Sequence, residues 1–122
     1  MSGLYSFEFF QNGDQLFILL QGTIYCWNNI ILDITKLFET REVGNGLLQV
    51  RCFVYEYNAY IAGKYNVLRY DNTHEGNLNY YHKHIFHLET GLELSIIELT
   101  RDNFPLLHEV LDELERMFGN VN

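Results

Sequence analysis

The chain has 122 residues, 48% of them hydrophobic and 16% aromatic, and a formal net charge of −8. That length suits one domain with a core of its own, needing no disulfide or metal staple, and the composition excludes a disordered chain. Net acidity argues against non-specific nucleic-acid binding, which depends on Lys and Arg at phosphates. The charge is unevenly spread. From Glu89 to Asn122 eight acids stand against Arg101 and Arg116, whereas residues 1–88 carry eight acids and six bases. Cys26 and Cys52 form no metal-binding spacing and read as buried small hydrophobes in a reducing compartment. No basic-then-apolar leader opens the sequence, and its longest apolar runs fall short of a membrane span. The expectation is a cytoplasmic protein with no membrane partner.

Leu4 to Phe10 predicts a first strand, and Asn12-Gly13-Asp14 a tight turn, because Asn-Gly readily adopts positive φ. Gln15 to Trp27 predicts a second strand, with Gly22 as a point of interruption, so residues 4–27 form an N-terminal hairpin. Ile30 to Val43 is two-sided: Ile34, Leu37 and Phe38 have helical spacing, while the β-branched Ile-Ile-Leu-Asp-Ile-Thr run suits a strand. After Gly44-Asn45-Gly46, Leu47 to Tyr60 alternates as a strand. Tyr65 to Asp71, Tyr81 to Leu88 and Glu93 to Leu99 predict three more, with a polar loop from Asp71 to Asn79. Phe104, Leu107, Leu111, Leu114 and Phe118 fall at 3-4-3-4 spacing, which predicts a helix over 104–118 capped by Asp102 or Asn103 and ended by Gly119. The fold class expected is α+β: one domain over 1–122, with a meandering antiparallel β-sheet (47–99 beside the hairpin) packed against a C-terminal α-helix.

Chemistry concentrates between residues 69 and 84. Arg69, Asp71, His74, Glu75, His82, Lys83 and His84 lie within sixteen positions, and four of the five histidines fall between 74 and 87. Histidine titrates nearest neutrality, so the cluster concentrates proton-transfer or metal-binding capacity. Strand alternation puts Arg69 and Asp71 on one face, and His82 with His84 on one face, while Lys83 points the other way. If these strands are antiparallel neighbours, Asp71, His74, His82 and His84 meet at the loop end of the sheet, in a pocket open to water.

The candidate catalytic set is therefore Arg69, Asp71, His74, His82, Lys83 and His84. In it His82 or His84 is the general base, His74 the general acid, and Arg69 or Lys83 the stabiliser of an anionic transition state. Such a set suits RNA cleavage through the 2′-hydroxyl with no metal and no cofactor. The competing chemistry is a divalent metal on His82-x-His84 with Asp71 or His74. The non-catalytic alternatives are a surface that recognises a protein partner and a hydrogen-bonded polar edge.

Tyr55-Glu56-Tyr57-Asn58, then Arg69-Tyr70-Asp71-Asn72 with His74 close behind, then His82-Lys83-His84 and a C-terminal amphipathic helix, together resemble the small bacterial TumE family. The likeness spans roughly Leu47 to Phe118. It implies the toxin half of a toxin–antitoxin pair, with a cognate antitoxin protein as partner. RNA as a target, the ribonuclease activity and a homodimeric state are further expectations beside it. The alternative is a non-enzymatic protein-interaction module of the same fold.

Overall fold

Seven strands cross one antiparallel sheet in chain order: β1 (Ser2–Asn12), β2 (Gln15–Tyr25), β3 (Ile30–Gly44), β4 (Leu47–Ile61), β5 (Asn66–Asp71), β6 (His82–Phe86) and β7 (Glu93–Glu98). A helix, α1 (Leu107–Leu114), follows and widens into a π-turn over Glu115–Gly119. The computed structural model describes residues 2–73 and 80–119. The α+β meander expected from the sequence is therefore the observed architecture.

Local chemistry explains the turns. Asn28 and Asn29 both take positive φ (52° and 65°), and Ile30 N donates to Trp27 O at 2.9 Å. Asn45 and Gly46 repeat that pattern (53° and 74°) between β3 and β4. Two consecutive left-handed residues match the right-handed twist of the strands they join. The ambiguous stretch after Asn29 resolves as strand, because β3 pairs with β2 on one side and β4 on the other. Its β-branched residues suit a pleated surface better than a helix. Gly22 does not interrupt β2: it stays in register between Tyr5 and Ile34.

The core lies on one face of the sheet. Ile30, Leu32 and Ile34 of β3, Tyr57 and Ala59 of β4, and Leu68 and Tyr70 of β5 are buried with Val110 and Leu114 of α1. Strand β1, at one edge, is exposed along its whole length. The helix begins three residues later than the apolar spacing suggests. Pro105 disfavours helical backbone at Phe104, and Asn103 is engaged in a turn with Thr100, whose N donates to Asn103 Oδ1 at 2.7 Å. Phe104 instead drops its ring among Tyr55, Tyr57, Tyr70 and Tyr81, at centroid distances of 5.9, 6.1, 6.0 and 5.4 Å. The helix start is held by Glu109 Oε1, which accepts from Leu106 N at 2.9 Å.

The buried tyrosines carry a pH signature. Burial pushes the Tyr57 hydroxyl up to about 12. Burial also raises Tyr70, helped by the O–H it donates to Glu113 Oε1 at 2.7 Å. Each phenol holds its proton more tightly folded than unfolded. The stability they contribute is therefore complete below about pH 10, where an unfolded tyrosine titrates, and is lost as pH climbs toward 12. Urea midpoints should be level up to pH 9 and fall steadily above pH 10. Tyr70→Phe, which cannot ionise, should flatten that fall; a wild-type midpoint unchanged to pH 11.5 would contradict it.

Candidate functional site

Two rows on the face opposite the helix are largely polar, and the register explains why. Paired residues on neighbouring antiparallel strands share a face. One transverse row runs Thr23, Asp33, Asn58, Arg69, His84, and the next runs Gln21, Thr35, Glu56, Asp71, His82, Glu98. Arg69 stands directly across from His84 and Asp71 across from His82. The alternation read from the sequence thus brings four of the six candidate residues together.

Their contacts form one network. Asp71 Oδ2 accepts from Arg69 Nε at 3.0 Å, and Asp71 Oδ1 lies 2.9 Å from His82 Nε2. His84 Nε2 is 3.0 Å from His82 Nε2 and 3.5 Å from Asp71 Oδ2. The far nitrogens are also engaged. His82 Nδ1 lies 2.7 Å from Tyr80 O, and a carbonyl only accepts, so that nitrogen carries the hydrogen. His84 Nδ1 likewise donates to the Glu93 carboxylate. Thr73 N adds a bond to Asp71 Oδ1 at 3.3 Å, and a second Arg69 nitrogen reaches Glu56 at 3.5 Å.

The cluster is less open than the sequence suggests. The Asp71 and His82 side chains are 3% and 1% exposed, His84 is 14% and Arg69 37%. The Tyr80 ring lies 4.7 Å from His82, and Phe86 stacks on His84 at 6.3 Å. Rings therefore crowd the imidazoles, and approach from water is by way of His84, Arg69 and the exposed Glu93.

Lys83 is not part of this group. It projects to the helix side, where Nζ pairs with Glu113 Oε2 at 2.6 Å and lies 5.1 Å from the Tyr70 ring centre. His74 falls outside the described residues. His87 is exposed at the end of β6, where its Nδ1 accepts from Glu89 N at 3.2 Å.

Three contributors escaped the sequence reading. Glu93 opens β7, and only the register shift between Ile85 and Phe86 brings it to His84. Glu56 stands across from Asp71 and was visible in the Tyr55–Asn58 run, though without a role. Asn72 is a structural clamp beside the site: its side chain accepts from Tyr55 N and donates to Phe53 O, both at 2.9 Å. That clamp holds β4 past the end of its β5 pairing. Of the two thiols, both half-buried and unpaired, each is pushed up by burial, which makes it a poor nucleophile.

One donor atom from each of Asp71, His82 and His84 lies within 4.8 Å of the others, a set able to hold a metal ion. Among the described residues, no helix is long and apolar enough to cross a membrane. Comparison of the chain with protein-family models, curated proteins and solved structures finds no match.

Proposed function

We propose that this protein is the toxin-like member of a bacterial toxin–antitoxin pair, acting in the cytoplasm and neutralised by a small partner protein, and that it cleaves RNA. The observation that carries the reading is the meeting of Arg69, Asp71, His82 and His84 on the polar face. These are also residues on which the likeness to the TumE family rests. RNA scission needs a group that activates the 2′-hydroxyl and a cation that neutralises the phosphate. The His–Asp cluster would serve the first need, and the partly exposed Arg69 guanidinium, already oriented by Asp71 and Glu56, the second.

Expression in a bacterial host tests this. Wild-type protein should arrest growth and degrade transcripts. His84→Ala, at the accessible end of the cluster, should relieve both while its circular dichroism stays that of the wild type. Full arrest by a folded His84→Ala would remove the cluster from the activity. That result would favour the second reading, a non-enzymatic protein-interaction module. The near-complete burial of Asp71 and His82 supports this second reading, since it suits a network that shapes a surface.

A further inference from the structure

Three side chains aim donor atoms at one place. His82 Nδ1 and His84 Nδ1 are turned outward to Tyr80 O and the Glu93 carboxylate, which can only accept. Their Nε2 atoms are turned inward, 3.0 Å apart, with Asp71 Oδ1 2.9 Å from His82 and Asp71 Oδ2 3.5 Å from His84. One such atom from each of the three residues lies within 4.8 Å of the others. The neighbouring charge is largely negative: Glu56 lies at Arg69, Glu93 at His84, and Glu98 is paired across from His82.

We infer that Asp71, His82 and His84 bind a first-row divalent metal ion, with Zn2+ or Fe2+ the chemical class that two imidazoles and one carboxylate select. The distances fit. Donors bound at about 2.0–2.1 Å from a shared ion lie roughly 2.8–3.4 Å apart at octahedral or tetrahedral angles; here the two Nε2 atoms are 3.0 Å apart, and the carboxylate approaches them through different oxygens, Oδ1 at 2.9 Å from His82 and Oδ2 at 3.5 Å from His84. The outer partners fit as well. A metal-binding histidine characteristically donates its other N–H to a carbonyl or carboxylate, which fixes the tautomer. Tyr80 O and Glu93 do this for the two histidines, and Arg69 and Thr73 N orient the aspartate. Three protein ligands leave further positions for water or substrate, the arrangement of a reactive rather than a structural ion. The inference takes up the divalent-metal alternative that the sequence left open on His82-x-His84 with Asp71. The inference deepens the reading of the cluster as the reactive centre, but the binding itself does not depend on the protein being a toxin.

The test uses the purified full chain, stripped with a chelator and titrated with Zn2+ alone or Co2+ alone. The wild type should take up one equivalent, with a rise in Tm and, for Co2+, visible d–d bands of low-coordinate geometry. His84→Ala should lose the stoichiometric binding and the Tm rise. Glu93→Ala touches no metal and alters an exposed residue; it should bind about 10- to 100-fold more weakly. His87→Ala should bind as the wild type does. No stoichiometric uptake, or equal affinity in Glu93→Ala and the wild type, overturns the inference. The two proposals fail separately: a growth-arresting protein that takes no metal sinks the metal site alone, and a metal-loaded protein that leaves growth unchanged sinks the toxin reading alone.

Discussion

Asp71→Ala should lower the unfolding free energy by about 3–5 kcal/mol, the range for removing one partner from a buried charged network. The side chain is 3% exposed and meets Arg69 Nε, Thr73 N and His82 Nε2 at once. Truncation takes a carboxylate partner from a buried imidazole and, among the described residues, leaves the Arg69 guanidinium with Glu56 at 3.5 Å. Groups that lose a partner inside a low-dielectric interior carry the full desolvation cost. Asp71→Asn keeps the shape and one acceptor, so it should lose distinctly less while still removing the negative charge. Urea unfolding with an unchanged slope measures both. A loss below about 1 kcal/mol in Asp71→Ala would mean that the network does not depend on this carboxylate.

Leu114→Ala should cost about 2–5 kcal/mol, by lost burial and the cavity left behind. Leu114 is fully buried, and α1, with the π-turn that continues it, covers the apolar face of the sheet. The next residue toward the N-terminus, Glu113, holds both Lys83 and the Tyr70 hydroxyl. A loosened helix should therefore also weaken the near-ultraviolet dichroism of the buried tyrosines. Met117, 37% exposed one turn further on, provides the contrast: Met117→Ala should stay within about 0.5 kcal/mol of wild type. Comparable losses at the two positions would show that the helix is not anchored through Leu114.

The hairpin turns were legible because they are written in residues that tolerate positive φ, as at Asn12-Gly13 and Asn45-Gly46, whereas the strand β3 between them was not, since Ile30 to Val43 carries both a helical spacing and a β-branched run. The faces were legible because strands alternate, which is why Arg69, Asp71, His82 and His84 could be matched before any coordinates. The same parity excludes Lys83 from the group; proximity in sequence had placed it there. Closure around His82 was not legible, since it depends on where the Tyr80 and Phe86 rings fall, and no periodicity encodes that. Nor was the role of Glu93, which needs the shift at Ile85/Phe86. The helix start escaped because Phe104 satisfies the helical stripe and is nevertheless claimed by four tyrosine rings.

The unbroken order β1 to β7 has a consequence for how the chain is made. Every strand pairs with the one just before it, so the sheet can grow on the ribosome hairpin by hairpin, without waiting for distant segments. The helix is the exception. Residues 107–114 leave the exit tunnel only after all seven strands, and until they do, the greasy side of the sheet lacks its helical lid. Nascent chains stalled after β7 should therefore be the species most in need of a chaperone.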